Sequence, residues 1–178
     1  LRAELLAPPM FEECAVGLTN LDVDVLQDVR DFYVQSIGNQ LFDVFKSMWS
    51  QLASEEDHAM DAQAFGRRKL KNICLYFMMK ARDSEVLPLC QSQFDTAQTM
   101  TDQIKSFSLL AHSKNTAVRQ ESVARFYQQW QDDALVLDKW FSILAMRDAP
   151  DTLQHVQQLM QHAAFSIRAP RFFRQRDD

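Results

Sequence analysis

Apolar side chains recur along much of this chain at steps of three and four residues, the spacing that places them on one face of an α-helix. The longest run follows the polar stretch 20–24, whose amide and acidic side chains suit a helix start. The acidic stretch 54–57 interrupts it. The spacing predicts one long helix with a continuous apolar stripe, which is made of Val25, Val29, Phe32, Tyr33, Ile37, Leu41, Phe45, Met48, Trp49 and Leu52.

A second helix is predicted around residues 70–79, and it is apolar on most of its faces. Such a helix packs against neighbours all round. Its Asn72 then needs a buried hydrogen-bond partner, because an unpaired amide there would cost about 1–3 kcal/mol. Its main stripe consists of Leu70, Ile73, Cys74, Phe77 and Met78, with Leu75, Tyr76 and Met79 on the other faces.

Shorter helical patterns fill the rest of the chain. They are a brief helix that ends near Gly17 and helices over 85–94, 101–110, 115–130, 137–144 and 153–162. No useful length of sequence alternates like a β-strand, and glycine is scarce, at 3 residues. No repeat of fixed period carries a consensus, so no named repeat class is predicted. We predict an all-α fold in which antiparallel helix pairs form a layered array or a short α-solenoid.

A single helical domain is predicted over residues 1–167, followed by a basic tail, 168–178, that is divergent or poorly ordered. The chain begins with Leu1 and lacks a signal-peptide layout, so we expect a fragment or a processed product. No apolar run approaches the roughly 18 residues that cross a bilayer, and no membrane association is expected. The 3 widely spaced cysteines suit a reducing compartment, which predicts a cytoplasmic location.

The net charge of the chain narrows the classes of function to which it could belong. A net charge of −5 argues against a nucleic-acid-binding protein, which usually presents a basic face. One basic cluster, residues 67–71, lies on the second predicted helix. We expect that cluster to be a solvated helix face.

The histidines do not have the spacing of a metal site. A zinc hydrolase typically carries two histidines one helical turn apart, with a glutamate between them. Of His58, His112, His155 and His162, only the last two share a predicted helix, and they are two turns apart. We therefore predict no metal ligands in this chain.

Nucleophilic catalysis is not indicated either. Cys74 lies on a buried stripe, where a thiol is usually an inert packing group, and Cys90 has no histidine near it in sequence. Carboxylate pairs such as 55–56 and 132–133 lie in polar joints between helices, where they serve as caps. We predict no catalytic residues, and the substrate-binding residues are unknown. An aromatic stripe that could line a ligand groove is expected to be core; it consists of Leu137, Trp140, Phe141 and Leu144.

Several ordered segments resemble the C-terminal domain of the bacterial aminopeptidase N family. Residues 68–75, Arg-Lys-Leu-Lys-Asn-Ile-Cys-Leu, are similar to that family's Arg-x-Leu-(Lys/Arg)-Asn-x-Cys-Leu helix. Met-Thr-Asp at 100–102 and Asp-Lys-Trp-Phe at 138–141 match further family segments, and Gln-His at 161–162 matches another. The chain departs from the family at 169–173, where the family's usual Asn-Pro-Asn is replaced, and the family's later helices are lacking.

The resemblance implies a non-catalytic cap segment of a zinc-dependent aminopeptidase, with the zinc ligands and the general base in an upstream domain. Such a cap covers the active site and restricts the access of peptides. Its expected partners are the catalytic domain of the same polypeptide and the peptides of the parent enzyme. No cofactor is expected in this chain, and no catalytic residue is carried over. The alternative is a free-standing helical protein-interaction module without enzymatic activity.

The end of the chain also predicts self-association. If the family's later helices are lacking, apolar surface that they would cover is left open, and such patches tend to find partners. We therefore expect a homodimer or a larger assembly that buries part of the region from Leu153 onward. The tail would add Phe165, Ile167, Phe172 and Phe173 to that surface.

Overall fold

The computed structural model describes residues 2–17, 19–54 and 61–165. Within those ranges the chain forms ten helices and no strand, so the predicted all-α fold is confirmed. The helices are α1 (Arg2–Leu6), α2 (Phe11–Ala15), α3 (Val23–Gln40), α4 (Phe42–Ser54), α5 (Ala62–Ala81), α6 (Asp83–Thr96), α7 (Met100–Ala111), α8 (Thr116–Trp130), α9 (Ala134–Ala145) and α10 (Thr152–Met160). None of the helices in the described ranges has the length and apolar character that a membrane crossing requires.

Backbone contacts divide the chain into two compact units, Leu1–Leu109 and Leu110–Asp178. The predicted single domain over 1–167 is not tested by this division and stays a prediction. Its tail, 168–178, lies outside the described residues.

Helix α5 is the central element of the first unit, as its all-round apolar pattern predicted. The side chain of Asp61 caps its start by accepting the backbone N–H of Ala64 at 2.8 Å. Helices α1, α3, α4 and α6 all pack against it. The buried residues of α5 point in most directions, and they are Ala64, Arg68, Asn72, Ile73, Cys74, Leu75, Phe77, Met78 and Met79.

The prediction of one long helix before α5 is wrong in one respect, because the chain forms two helices there, α3 and α4, which are separated at Leu41. Leu41 has φ −108° and ψ 18°, which ends the first helix. Just before the break, Gly38 weakens the helix and Asn39 bonds its side chain to the carbonyl of Gln35 at 2.9 Å. The break allows α4 to bury Phe45, whose ring stacks on that of Phe77 with centroids 5.1 Å apart.

The first half of the predicted stripe is also corrected, because it is exposed. Val25, Val29 and Phe32 are 56%, 58% and 73% exposed. The buried side of α3 instead carries Val34 and Gly38. At 100° per residue, this buried side lies opposite the three exposed residues. Helix α3 thus has two apolar sides, and its periodicity alone does not show which one meets α5.

The second unit is built around α9, against which α8 and α10 pack. The carboxylate of Asp133 caps α9 by accepting the backbone N–H groups of Leu135 and Val136 at 3.0 and 3.1 Å. Most of α9 is apolar and buried, so it supplies the core of this unit. Its buried residues are Val136, Leu137, Trp140, Phe141, Ile143 and Leu144.

Gly38 allows the close approach of α3 to α5, and this can be tested. A Cβ at this position would lie 2.5 Å from the backbone oxygen of Phe77 and 2.9 Å from the Cβ of Ala81. Because a backbone atom cannot move aside cheaply, Gly38→Ala is expected to lower the free energy of unfolding by about 1–3 kcal/mol. Urea denaturation measures this change.

Gly66→Ala is the matched control, since a Cβ at Gly66 in α5 would meet nothing within 4 Å. Alanine is a better helix former than glycine, so this change is expected to raise stability by up to about 1 kcal/mol. Equal effects of the two substitutions would contradict the close approach.

Candidate functional site

A polar cavity of about 550 Å³ opens between helices of the first unit. Four helices, α4 to α7, and the loop before α7 supply its walls. We call it the α5 pocket, and it is lined by Trp49, Leu52, Ala53, Arg67, Arg68, Lys71, Ser92, Gln93, Thr96, Ala97, Gln98, Thr99 and Asp102. Ligand sites usually have volumes of about 300–1,000 Å³ and are lined mainly by apolar side chains, whereas the lining of this cavity is largely polar.

The pocket is backed by a connected set of buried and part-buried hydrogen bonds, which we call the Asn72 network. Asn72 donates to one carboxylate oxygen of Asp102 at 2.7 Å, and Lys71 pairs with the other at 2.7 Å. The amide of Gln93 donates to the Asn72 side-chain oxygen at 2.8 Å. The indole of Trp49 then donates to Gln93 Oε1 at 3.0 Å. The buried partner that the sequence required for Asn72 is therefore confirmed, and the network ties four helices together.

The basic cluster at 67–71 forms one wall of the pocket, and this corrects the expectation that it is a solvated face. Arg68 is buried, and the side chain of Lys71 is only 15% exposed. Lys69 does face solvent, where its ammonium pairs with Glu4 of α1. The difference follows from helical spacing, because Arg68 and Asn72 are four residues apart, as are Arg67 and Lys71, whereas Lys69 points to another side of α5.

The guanidinium of Arg68 is held in place by an aromatic ring. Its central carbon lies 4.9 Å from the centroid of Phe65, one turn earlier on α5. A cation over an aromatic face is stabilised by the ring's electron density. Arg68 therefore lines the pocket in a defined orientation.

The histidines take structural positions where they are described. A ring nitrogen of His112 lies 2.8 Å from the carbonyl oxygen of Ile143. Burial lowers the pKa of His155, and the charge of Arg147 adds to this effect. His162 packs edge-on against Phe141 with centroids 5.5 Å apart, and His58 lies outside the described residues. Within the described ranges, no group of three or more metal-ligating side chains converges, and the predicted absence of a metal site stays a prediction.

The two candidate thiols are buried and hard to ionise. Burial raises the pKa of Cys74 to about 11 and that of Cys90 to about 12. The thiol of Cys90 donates to the carbonyl of Ser106 at 3.5 Å. Because the thiolate is the nucleophile, such thiols are inert near neutral pH. Of the carboxylate pairs, Asp133 caps α9, and residues 55–56 lie outside the described part of the chain.

The aromatic stripe of α9 is core, as predicted. Trp140 is 6% exposed, and its indole donates to the carbonyl of Val123 at 3.3 Å. The rings of Tyr127 and Phe141 lie 5.3 and 5.0 Å from it, centroid to centroid. This filled arrangement leaves Trp140 no role as an open ligand platform.

The second feature that could serve a function is an exposed apolar surface. We call Val25, Val29 and Phe32 the α3 apolar row, since steps of four and three place them on one side of the helix. In the second unit, Leu153 and Met160 of α10 are 70% and 49% exposed. The predicted homodimer that buries the region from Leu153 stays a prediction, and 166–178 lie outside the described residues.

Sequence reasoning found only part of the pocket. The buried Asn72 signalled that a partner exists, but nothing in the spacing indicates Asp102, which lies 30 residues away. Trp49 has the helical step of the predicted stripe, but its indole nitrogen donates a hydrogen bond to Gln93. Contacts between segments that are distant in sequence can be identified only from the tertiary structure.

Comparison with known proteins identifies the family. Residues 1–175 match the profile of the domain of unknown function DUF3458_C, described as ARM repeats. The chain belongs to this family. The repeat class was not predicted, because no fixed-period consensus is visible in the sequence. It agrees with the predicted short α-solenoid.

Curated proteins that are similar to this chain are named aminopeptidase N. The chain is 29% identical to aminopeptidase N of Caulobacter vibrioides over 95% of its own length and 20% of that protein. It is 29% identical to aminopeptidase N of Haemophilus influenzae over 93% of its length and 19% of that protein. The resemblance that the motifs indicated is thereby confirmed. The chain spans about a fifth of the length of these relatives.

The fold is shared with a solved structure. The crystal structure of Legionella pneumophila aminopeptidase A in complex with aspartic acid superposes with a TM-score of 0.79 and 25% sequence identity. The match covers 92% of this chain and 20% of that one.

Because Trp140 is core, its truncation should be costly. Trp140→Ala is expected to lower the free energy of unfolding of the second unit by about 3–5 kcal/mol, through lost burial and a cavity. Trp140→Phe is the control, since it keeps an aromatic ring and should lose much less. Urea denaturation compares the two variants. Wild-type stability in Trp140→Ala would contradict the placement of this side chain in the core.

Proposed function

We propose that this chain is the non-catalytic C-terminal cap segment of a zinc-dependent aminopeptidase N, where it covers the active site and restricts the access of peptides. The observation that carries the proposal is its similarity, over 95% of its length, to about a fifth of aminopeptidase N. The described residues do not fit a zinc site, since no group of three ligands converges. The zinc and the chemistry would therefore belong to another part of the same polypeptide. A cytoplasmic location remains part of this proposal.

The α3 apolar row supports a role as a docked domain. Its three side chains are exposed and lie opposite the face of α3 that packs within the unit. Each large apolar side chain that becomes buried contributes roughly 1.5–3 kcal/mol. The occupant that we propose for this row is the catalytic domain of the same polypeptide, which would hold the cap over the active site.

The alternative is a free-standing helical protein-interaction module, in which the same row would bind another protein. The coding sequence upstream of Leu1 separates the two. The cap requires a His-Glu-x-x-His motif there, because that spacing supplies two zinc ligands and a general base on one helix. A reading frame without the motif would favour the interaction module.

Phe32→Asp in the full polypeptide tests the cap directly. A charge in the α3 apolar row should loosen docking, so cleavage of long, unfolded polypeptides should increase relative to that of an alanyl reporter. The specificity constant for the small reporter should stay within about twofold, since the reacting groups are untouched. Met146→Asp is the control, because Met146 is 69% exposed and lies outside the row. Unchanged size selection in Phe32→Asp would overturn docking through α3.

A further inference from the structure

We propose that Lys105 is a modification site, whose side-chain amine reacts with activated acyl groups such as those of acyl phosphates and acyl thioesters. The residue belongs to α7 of the first unit, and the proposal does not depend on the cap function. No motif in the sequence singles out this lysine. The surroundings of its amine nitrogen, Nζ, carry the inference.

The amine of Lys105 lies over an aromatic ring instead of beside a carboxylate. Its Nζ is 4.7 Å from the centroid of the Tyr76 ring, which belongs to α5. Among the described residues, no carboxylate pairs with this amine. The lysines of α5 differ in this respect, because Lys69, Lys71 and Lys80 each form an ion pair with a carboxylate. Within the described part of the chain, Lys105 is therefore a cation without a counter-ion.

The position of Lys105 also disfavours the charged form of its amine. The residue is half-buried, and an ammonium that leaves water without a counter-ion loses hydration. The Tyr76 ring offsets part of this loss. Burial lowers the pKa of Lys105, the nearby Cys90 acts in the opposite direction, and the charge of Lys80 lowers the pKa further. More of this amine is therefore in its neutral, nucleophilic form than in an exposed lysine.

Acylation would convert the Lys105 amine into a group that suits its surroundings. The neutral Nζ attacks the carbonyl carbon of the donor, and an N–C bond forms. The C–O bond to phosphate, or the C–S bond of a thioester, breaks with its electron pair, and one Nζ proton passes to the solvent. The product is an uncharged amide, which needs no counter-ion. Because Lys105 is half-buried, we expect small, two-carbon acyl donors to react best.

Competitive acetylation of the chain tests this proposal. The probes are acetyl phosphate and N,S-diacetylcysteamine, a small thioester, and peptide mass spectrometry measures the initial rate at each lysine. Lys139 is the internal control, because it is exposed. At pH 7, Lys105 is expected to react at least about threefold faster than Lys139 with one or both probes, since more of its amine is neutral.

The pH dependence of the rates separates nucleophilicity from accessibility. Between pH 7 and pH 9 the exposed amines lose protons, so the Lys105 rate divided by the Lys139 rate should fall at least about twofold. Of the groups that face Lys105, Tyr76 and Lys80 come from α5 and Cys90 comes from α6. The thiol of Cys90 stays protonated over this range, because burial raises its pKa to about 12.

Lys105→Gln provides a second measurement, because its amide is an uncharged substitute for the acylated side chain. This variant has no ion pair to lose, so its urea midpoint should stay within about 0.3 M of the wild-type value. Lys71→Gln is the matched control. It leaves the buried Asp102 without its ammonium partner and should lower the midpoint by at least about 0.5 M.

The outcomes decide both the site and the donor. Faster acetylation of Lys105 at pH 7, with a ratio that falls as the pH rises, supports the site, and the probe that reacts identifies the donor class. Acetylation of Lys105 no faster than that of Lys139 with either probe would overturn it, and so would a ratio that does not change with pH. A loss of stability in Lys105→Gln equal to that in Lys71→Gln would also overturn it, because the fold would then require the ammonium.

Discussion

The carboxylate of Asp102 is buried near the start of α7, and four helices of the first unit, α4 to α7, are joined around it by hydrogen bonds. Removing a charge from water costs several kcal/mol unless partners replace the lost hydration. Here Lys71 and Asn72 of α5 supply those partners. Gln93 extends the set to α6, and Trp49 extends it to α4. A change in the position of any of these four helices would leave a polar group buried and unpaired, so the network selects one arrangement of them.

The same interaction shapes the α5 pocket. Asp102 and its partner Lys71 both line this cavity, and Asn72 lies behind them. The relatives that the chain resembles are named aminopeptidase N, and its described residues present a pocket and an exposed apolar row.

Sequence patterns were sufficient where one residue's environment is set by its own helix. The all-round apolar character of α5 and the stripe of α9 around Trp140 both predicted buried helices, and both are buried. The patterns were insufficient where two distant segments decide the outcome. Val25 and Phe32 have the spacing of a core stripe, yet α5 packs on the opposite side of α3, at Val34. Periodicity identifies an apolar face but not the surface that covers it.

The α5 pocket could likewise be predicted only in part from the sequence. The run 67–71 has the composition of a solvated face, yet Arg68 is buried and lines the α5 pocket together with residues of α4 and α6. Which members of the run are buried is a property of the tertiary fold. In the same way, the requirement for a partner of Asn72 followed from its own helix, whereas the identity of that partner did not.

A double-mutant cycle between Asn72→Ala and Asp102→Ala measures the central interaction most directly, with unfolding of the first unit followed by amide hydrogen exchange in α5. The account predicts a coupling of about 1–3 kcal/mol between the two positions, because each side chain is the other's buried partner. Asn72→Ala combined with Asp133→Ala, which removes the cap of α9, should instead be additive within about 0.5 kcal/mol. Additive effects of Asn72→Ala and Asp102→Ala, each below about 0.5 kcal/mol, would show that the first unit does not depend on this network.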